Sequence, residues 1–296
     1  MHASNQAQAE AEAAPSEPVW LRFGRFIRLS HTVFALPFAL VSMLVAARGL
    51  PPWPVVGWIL LCMVSARTAA MLFNRLADWD IDQLNPRTQD RHRLVPKPLA
   101  RAAWVVSVAV FVLGAWQLNL LCLVLAPVAI GIISFYSLCK RFTAYAHLFL
   151  GLALAVAPMG AWAAVSGELW SPAPYLLAMG VLCWVFGFDL IYATLDMEFD
   201  RKAGLHSFPA RYGLTAALRL AVGLHGMAAV LFLVFGWWAG FGWIYLVAWL
   251  ACVVALVYEH RLSRQGDPTS INRAFFAVNA VVGLLLLSGT ALDVFF

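Results

Sequence analysis

Long apolar runs separated by short polar segments dominate the chain. A helix needs roughly 20 such residues to cross the hydrocarbon core of a bilayer. Nine candidate runs lie near residues 30–48, 55–77, 102–118, 120–138, 145–165, 174–195, 214–236, 241–258 and 273–293. None alternates in the way that membrane β-barrel strands do. The pattern therefore predicts an all-α fold, a polytopic membrane bundle of about nine transmembrane helices.

Composition supports a membrane protein and sets the domain boundaries. Hydrophobic residues make up 62% of the 296 residues and charged residues only 12%, and the mean hydropathy is +0.79. Water-soluble domains carry about twice that charged fraction. Residues 1–18 are rich in Ala and Glu and are predicted to form a disordered cytosolic tail, which leaves 19–296 as a single transmembrane domain.

The distribution of Lys and Arg predicts the orientation, because basic residues in short loops collect on the cytoplasmic side. With a cytoplasmic N-terminus, Arg48 alone among the loop Lys and Arg residues faces outward. The net charge of +5 is then a topology signal and indicates no nucleic-acid partner. We expect a cell (inner) membrane protein with its N-terminus in the cytoplasm and no obligatory protein partner.

Acidic residues concentrate in two stretches. Eight of the fifteen lie there: Asp78, Asp80, Asp82, Asp90, Asp189, Asp196, Glu198 and Asp200. The first stretch contains Asn74-x-x-x-Asp78-x-x-x-Asp82 and the second Tyr192-x-x-x-Asp196-x-x-x-Asp200. A spacing of four places each set on one helical face. Arg67 extends the first stripe and Asp189 the second, whereas Asp80 and Glu198 are predicted to face water.

The two motifs end the second and the sixth predicted spans, on the same side of the membrane. Duplication of a four-helix unit, with the ninth helix as an addition, would produce this layout. The two acidic stripes are then expected to face each other across a central cavity.

The chemistry of these residues predicts a magnesium and diphosphate site. Converging carboxylates need a cation between them, and Mg²⁺ favours carboxylate and phosphate oxygens. Basic side chains near the motifs supply partners for a diphosphate. The basic substrate-binding candidates are Arg67, Arg75, Arg87, Arg91, Lys140 and Arg141.

Several segments resemble the UbiA superfamily of intramembrane aromatic prenyltransferases. They are 74-NRLADWDID-82, 85-NPRT-88, 140-KRFT-143, 192-YATLDMEFD-200 and 204-GLHSFPARYG-213. The segments 29-LSHTVFALPFAL-40 and 271-INRAFFAVN-279 are similar to the 4-hydroxybenzoate polyprenyltransferase branch. One departure is 91-RHRLVPKPLAR-101, which lacks a glycine that the family commonly has in this loop.

The resemblance implies a nine-helix fold, two Mg²⁺ ions, a polyprenyl diphosphate donor and a small aromatic acid as acceptor. It assigns Asn74, Asp78 and Asp82 to one metal and Asp196 and Asp200 to the other. It places Tyr192 beside the diphosphate and Lys140 near the leaving group. Asn74, Tyr192 and Ser207 complete the predicted substrate-binding residues.

Prenyl transfer to 4-hydroxybenzoate ortho to the phenol, in quinone biosynthesis, is the predicted reaction. The predicted catalytic residues are Asp78, Asp196, Asp189, Tyr192 and Lys140. Either Asp196 or Asp189 is the candidate proton acceptor. Arg141 or Arg28 is the candidate partner of the acceptor's carboxylate.

Three alternatives remain open on the sequence. A dihydroxynaphthoate of menaquinone biosynthesis would need the same diphosphate chemistry. An ion-coupled secondary transporter would also contain intramembrane acids and repeats, although transport sites lie near the bilayer midplane. A CDP-alcohol phosphotransferase would also use membrane aspartates, but neither motif contains its Asp-Gly pair.

Overall fold

The computed structural model describes residues 18–28, 34–84, 88–264 and 267–296, without the side chains of residues 270, 273 and 274. The helices of the first half are α1 (Val19–Phe26), α2 (Leu36–Ala47), α3 (Trp53–Ala77), α4 (Trp79–Leu84), α5 (Lys97–Leu118), α6 (Leu120–Cys139) and α7 (Ala146–Ser166). Those of the second half are α8 (Ala173–Ala193), α9 (Met197–Lys202), α10 (Phe208–Tyr212), α11 (Leu214–Trp238), α12 (Trp243–Ser263), α13 (Pro268–Arg273) and α14 (Asn279–Phe295). Short 3₁₀ helices cover Gln89–Arg93 and Thr194–Asp196, and a π-helical turn covers Ala274–Val278.

The prediction of an all-α membrane bundle is confirmed, since no strand occurs in the described ranges. In the part of the chain that the structure describes, eight helices are long and apolar enough to cross a membrane. The first predicted span corresponds to the shorter apolar helix α2, and residues 30–33 of that span lie outside the described residues. Residues 1–17 of the predicted tail also lie outside them.

Turn-forming residues set the helix boundaries. Proline occupies the first turn of α2, α3, α5 and α8, where its missing N–H costs no hydrogen bond. Gly167 ends α7 in the left-handed region, with φ of 72°. Asn119 caps α6 by accepting from the Cys122 amide at 2.9 Å, and its own amide donates to the Ala163 carbonyl at 2.7 Å. This one side chain therefore ties the start of α6 to the end of α7.

Helix packing recurs after four spans. Helix α3 packs on α5, α5 on α6 and α6 on α7. In the second half, α8 packs on α11, α11 on α12 and α12 on α14. The same order of neighbours is what duplication of a four-helix unit predicts. Helix α14, which corresponds to the ninth predicted span, contacts α2, and α2 in turn packs on α7. Helix α14 therefore closes the bundle.

The core centres on α8, which is the most buried of the candidate spans. Trp184 of this helix packs against Phe38 of α2 and against Phe188 of its own helix. Gly180 and Gly187 allow α11 to approach closely, because a Cβ at these positions would collide with the rings of Phe232 and His225. The helix that carries the second acidic motif is therefore held on several sides.

A chain of buried polar side chains links α8, α12 and α14. The Trp184 Nε1 donates to Asn279 Oδ1 at 2.7 Å, and the Asn279 amide donates to Glu259 Oε1 at 2.8 Å. The same amide donates to the Phe275 carbonyl at 3.1 Å. His225 joins from α11, with its Nε2 3.2 Å from the Trp184 carbonyl. Polar side chains at this depth are costly unless paired, so the chain fixes how these helices meet.

Five exposed tryptophans lie at the end of the bundle remote from the acidic motifs. They lie where α3 begins, where α5 and α11 end, where α12 begins and in the α7–α8 connection: Trp53, Trp116, Trp170, Trp237 and Trp243. Tryptophan is enriched at the interface between lipid and water. This tryptophan belt and the acidic motifs therefore lie at opposite ends of the bundle.

Candidate active site

Both acidic motifs cross a helix break at their central aspartate. Helix α3 ends at Ala77 and Asp78 follows with φ −94° and ψ 12°; Asp196 precedes α9 with φ −103° and ψ 3°. The spacing predicted one continuous helical face for each motif. The structure instead interrupts the helix at the central aspartate of each motif. In the first motif the four-residue backbone bonds persist, from the Asp78 amide to Asn74 at 2.9 Å and from the Asp82 amide to Asp78 at 2.8 Å. These bonds retain the helical spacing across the break.

The two motifs line one cavity of about 290 Å³. The predicted site residues that line it are Arg67, Asn74, Arg75, Asp78, Asp82, Arg91, Lys140, Asp189, Tyr192, Asp196, Asp200 and Ser207. Asp80 and Glu198 are exposed, as predicted from their position on the helix. The spacing of four therefore correctly separated the cavity residues from their solvent-facing neighbours.

One predicted substrate-binding residue that the structure describes, Arg141, does not line the cavity. The side chain of Arg141 is exposed and donates to the Ala77 carbonyl, and Arg141 is absent from the cavity lining. It binds the end of α3 instead, directly before Asp78. Arg87 lies outside the described residues.

Asp78 is the most buried aspartate of the first motif, with 3% of its surface exposed. Its Oδ2 lies 2.6 Å from Lys140 Nζ and accepts from the Asn74 amide at 3.4 Å. Its Oδ1 is buried without a hydrogen-bond partner. Burial raises the pKa of Asp78 above its ordinary value, and the Lys140 ammonium opposes this shift. Asp78 therefore presents an unsatisfied oxygen beside a cation.

Asp82 is surrounded by arginine. Arg91 Nη1 lies 3.2 Å from both carboxylate oxygens, and Arg75 Nη1 lies 3.5 Å from Oδ2. Arg75 also donates from Nε to the Phe26 carbonyl at 3.2 Å, so it anchors α1 to α3. The Thr88 hydroxyl donates to the Asp82 carbonyl at 2.9 Å. The loop after the first motif is thus folded back onto it.

The second motif places its polar groups on the opposite wall. Asp189 Oδ2 lies 2.7 Å from His147 Nδ1. The Tyr192 hydroxyl accepts from Arg28 Nη1 at 3.4 Å, and its ring stacks on Phe275 with centroids 4.1 Å apart. The segment that follows the motif is tied to the Lys140 carbonyl by the His206 amide at 2.8 Å. The two halves of the chain therefore meet at Lys140.

The sequence analysis missed His147, Phe275 and Thr88 among the lining residues. His147 carried a signal, because an ionisable residue near the start of an apolar run is costly in a membrane unless it serves a purpose. Thr88 and Phe275 lie in the family-like segments 85-NPRT-88 and 271-INRAFFAVN-279, but no spacing singled them out within those segments. Arg28, considered only for the acceptor, does line the cavity.

A second, apolar cavity of about 430 Å³ adjoins the first. The two cavities share the lining residues Ala35, Arg67, Tyr136, Leu150 and Leu154. The rest of its wall is largely Ala, Leu, Ile, Val and Met side chains from α3, α5, α6, α7 and α8. The polar cavity therefore continues into an apolar cavity between the helices.

The donor set fits magnesium carried by a diphosphate better than a closed metal cage. Within the part of the chain that the structure describes, no group of three or more His, Cys, Asp or Glu side chains could hold a metal by itself. Mg²⁺ is usually bound through one or two carboxylates together with substrate phosphates and waters. The unpartnered Asp78 Oδ1 and the carboxylates of Asp82, Asp196 and Asp200 in the lining supply such ligands.

Comparison with known proteins identifies the family. The sequence model of the UbiA prenyltransferase family matches residues 35–281. A 4-hydroxybenzoate octaprenyltransferase of Shewanella sediminis is 30% identical over 93% of this chain and 96% of its own length. A 4-hydroxybenzoate solanesyltransferase of Synechocystis is 28% identical over 95% of this chain and 98% of its own length.

Solved structures show the same fold. The apo structure of a UbiA homologue from Aeropyrum pernix has 32% identity and a TM-score of 0.81, covering 89% of this chain and 98% of that one. A UbiA homologue from Archaeoglobus fulgidus, bound to DMAPP and Mg²⁺, has 19% identity and a TM-score of 0.69, covering 92% and 99%. With its paired acidic motifs facing one cavity, this chain belongs to the UbiA prenyltransferase family.

Proposed function

We propose that this multi-pass membrane protein transfers a polyprenyl group from polyprenyl diphosphate to 4-hydroxybenzoate, ortho to the phenol, in ubiquinone biosynthesis. The observation that carries the proposal is the junction of two cavities: one lined by both acidic motifs, the other apolar. A prenyl diphosphate is divided in the same way, into a charged diphosphate group and an apolar prenyl tail. The names of the relatives supply the acceptor.

Two metal sites follow from the two motifs. Asn74, Asp78 and Asp82 would hold one Mg²⁺, and Asp196 and Asp200 the other. Bound there with the diphosphate, Mg²⁺ would stabilise the negative charge that develops as the allylic C–O bond breaks. A UbiA homologue of the same fold, from Archaeoglobus fulgidus, has been solved with DMAPP and Mg²⁺ bound, which supports the pairing of Mg²⁺ with a prenyl diphosphate.

Basic side chains complete the diphosphate site by exchanging partners. Lys140 is paired with Asp78 and Arg91 with Asp82. When those carboxylates bind a cation, the ammonium and the guanidinium become available for phosphate oxygens. Lys140 would then stabilise the leaving group. Arg67 lies where the two cavities meet and has a buried Nε without a partner, so it suits the end of the diphosphate nearest the tail.

The tail would occupy the apolar cavity. Its walls come largely from alanine and aliphatic side chains, which offer apolar contact to isoprene units.

Arg28 and Tyr192 form the proposed acceptor side. The Arg28 guanidinium reaches Tyr192 at 3.4 Å and can pair with a carboxylate in the cavity. The ring of Phe275, stacked on Tyr192, together with Phe188 lines the same region and can shield an allylic cation through its π face. Arg141, the other candidate for the carboxylate, points away to Ala77.

The site lies at one end of the bundle, opposite the tryptophan belt, which does not favour a transporter site at the midplane. The basic loops surround this end, so we place the site and the N-terminus on the cytoplasmic face of the inner membrane. A dihydroxynaphthoate would fit the same diphosphate site, and the relatives' names favour 4-hydroxybenzoate over it.

An acceptor panel tests the proposal. The purified protein in lipid nanodiscs receives one prenyl diphosphate, Mg²⁺ and, separately, 4-hydroxybenzoate, a dihydroxynaphthoate and homogentisate. We expect prenylated 4-hydroxybenzoate as the main product, identified by mass spectrometry and by substitution ortho to the phenol. If another acid gives the main product, 4-hydroxybenzoate is not the acceptor. If no acid gives a product, the proposed reaction is wrong.

A further inference from the structure

His147 and Asp189 form a pair that no diphosphate site requires. His147 lies in the first turn of α7 and Asp189 in the last two turns of α8, and both line the polar cavity. Their Nδ1 and Oδ2 atoms are 2.7 Å apart. The imidazole is buried, with 7% of its side chain exposed, and its Nε2 has no hydrogen-bond partner.

The contact fixes the tautomer of the imidazole. A carboxylate can only accept a hydrogen bond, so the proton of a neutral His147 lies on Nδ1 and donates to Asp189. Nε2 then carries a lone pair in a buried part of the cavity wall. A carboxylate behind a histidine both orients the ring and stabilises the imidazolium that forms when the other nitrogen gains a proton.

We propose that His147 Nε2 removes the ring proton after prenyl transfer, with Asp189 as its positioning residue. This proposal rests on the proposed function. The allylic C–O bond breaks and its electron pair leaves with the diphosphate; the ring carbon ortho to the phenol then forms the new C–C bond. That carbon's hydrogen passes as a proton to Nε2, and the C–H electron pair returns to the ring. No oxidant or further reactant is needed.

Other polar groups of the cavity are less suited to this step. Asp196 and Asp200 are assigned to the metal and Asp78 is paired with Lys140. Lys140, as an ammonium ion, has no lone pair to accept a proton. His147 alone combines a free lone pair with a carboxylate partner among the described lining residues. It thereby replaces Asp189 and Asp196 as the direct proton acceptor.

The test is a kinetic isotope effect with 4-hydroxybenzoate deuterated at both positions ortho to the phenol. In the wild type we expect bond ionisation to limit the rate, so deuteration leaves kcat unchanged. In His147→Gln, proton removal becomes limiting: kcat falls about 100-fold, the usual contribution of a general base, and deuteration lowers it further. Asp189→Asn is expected to show the same isotope effect with a smaller loss. Imidazole added to His147→Ala should restore part of the rate.

Glu198→Gln, at an exposed position beside the second motif, is the control and should keep wild-type rates without an isotope effect. A His147→Gln enzyme with wild-type kcat overturns the proposal, and so does a slow one on which deuteration has no effect, because a merely structural role would slow the reaction without exposing the C–H step. If another aromatic acid is the acceptor, the same measurement applies to that acid deuterated at its prenylated carbon. If no aromatic acid is prenylated, the proposed function fails first and this proposal with it.

Discussion

Lys140 Nζ lies 2.6 Å from Asp78 Oδ2, at the point where the fourth span of the first half ends beside the first acidic motif. The contact neutralises an aspartate that is 3% exposed, and it also occupies the ammonium group that a diphosphate would use. These two charges therefore balance each other in the substrate-free site. Under the proposed function, Mg²⁺ would take the place of Lys140 beside Asp78, and the diphosphate would take the place of Asp78 beside Lys140, so that neither charge is left unpaired.

Substitution of Lys140 by Gln removes the cation proposed for the leaving group. We expect kcat to fall at least about 10-fold, since a charged hydrogen bond to a developing anion contributes about 1.5–3 kcal/mol. Lys202→Gln, at an exposed position after the second motif, should behave like the wild type. Initial rates at saturating prenyl diphosphate measure the difference, and equal rates for the two variants would remove Lys140 from the mechanism.

Substitution of Arg28 by Gln should separate the two substrates. Arg28 contacts Tyr192 on the proposed acceptor side, so we expect a higher KM for 4-hydroxybenzoate and a nearly unchanged KM for the prenyl diphosphate. Arg25→Gln, from the exposed face of α1, is the control. If the KM for the diphosphate rises instead, Arg28 belongs to the donor site.

Metal dependence should vary with pH. Burial raises the pKa of Asp78, and a protonated carboxyl group does not bind Mg²⁺. The apparent affinity for Mg²⁺ is therefore expected to fall as the pH is lowered and to recover as it is raised. Titrations of activity with Mg²⁺ at several pH values measure this trend, and a chelator should abolish turnover. Full activity in excess chelator would exclude metal-assisted ionisation.

Breaking the buried hydrogen-bond chain through Asn279 is expected to lower the stability of the protein. Asn279→Ala removes the partner of Trp184 Nε1 and the donor to Glu259, and each buried group left unpaired costs about 1–3 kcal/mol. The melting temperature in detergent should fall clearly. Asn272→Ala, which removes an exposed side-chain bond to the Pro268 carbonyl, should change it little. Similar melting temperatures for the two variants would show that the chain contributes no net stability.

The sequence predicted those features that follow from periodicity. Apolar runs gave the helices, and the spacing of four placed Asp78 and Asp82 on the cavity side and Asp80 in water. The helix breaks at Asp78 and Asp196 were not predicted, because no Pro or Gly marks either position. Nor was the pairing of His147 with Asp189, since it depends on how α7 and α8 cross. Arg141 was predicted to bind the substrate because it follows Lys140 in the sequence. The chain turns after α6, however, and the Arg141 side chain donates to the Ala77 carbonyl instead.

One measurement tests most directly that both motifs form a single Mg²⁺ and diphosphate site. Asp78→Asn and Asp196→Asn, each close in shape to the wild-type side chain, are compared with Asp80→Asn and Glu198→Gln, their exposed neighbours. Prenylated 4-hydroxybenzoate formed per minute is measured for equal amounts of folded protein in nanodiscs. We predict that each of the first two variants loses activity about 100-fold or more, while the two controls keep it. Wild-type turnover in either Asp78→Asn or Asp196→Asn would contradict the account.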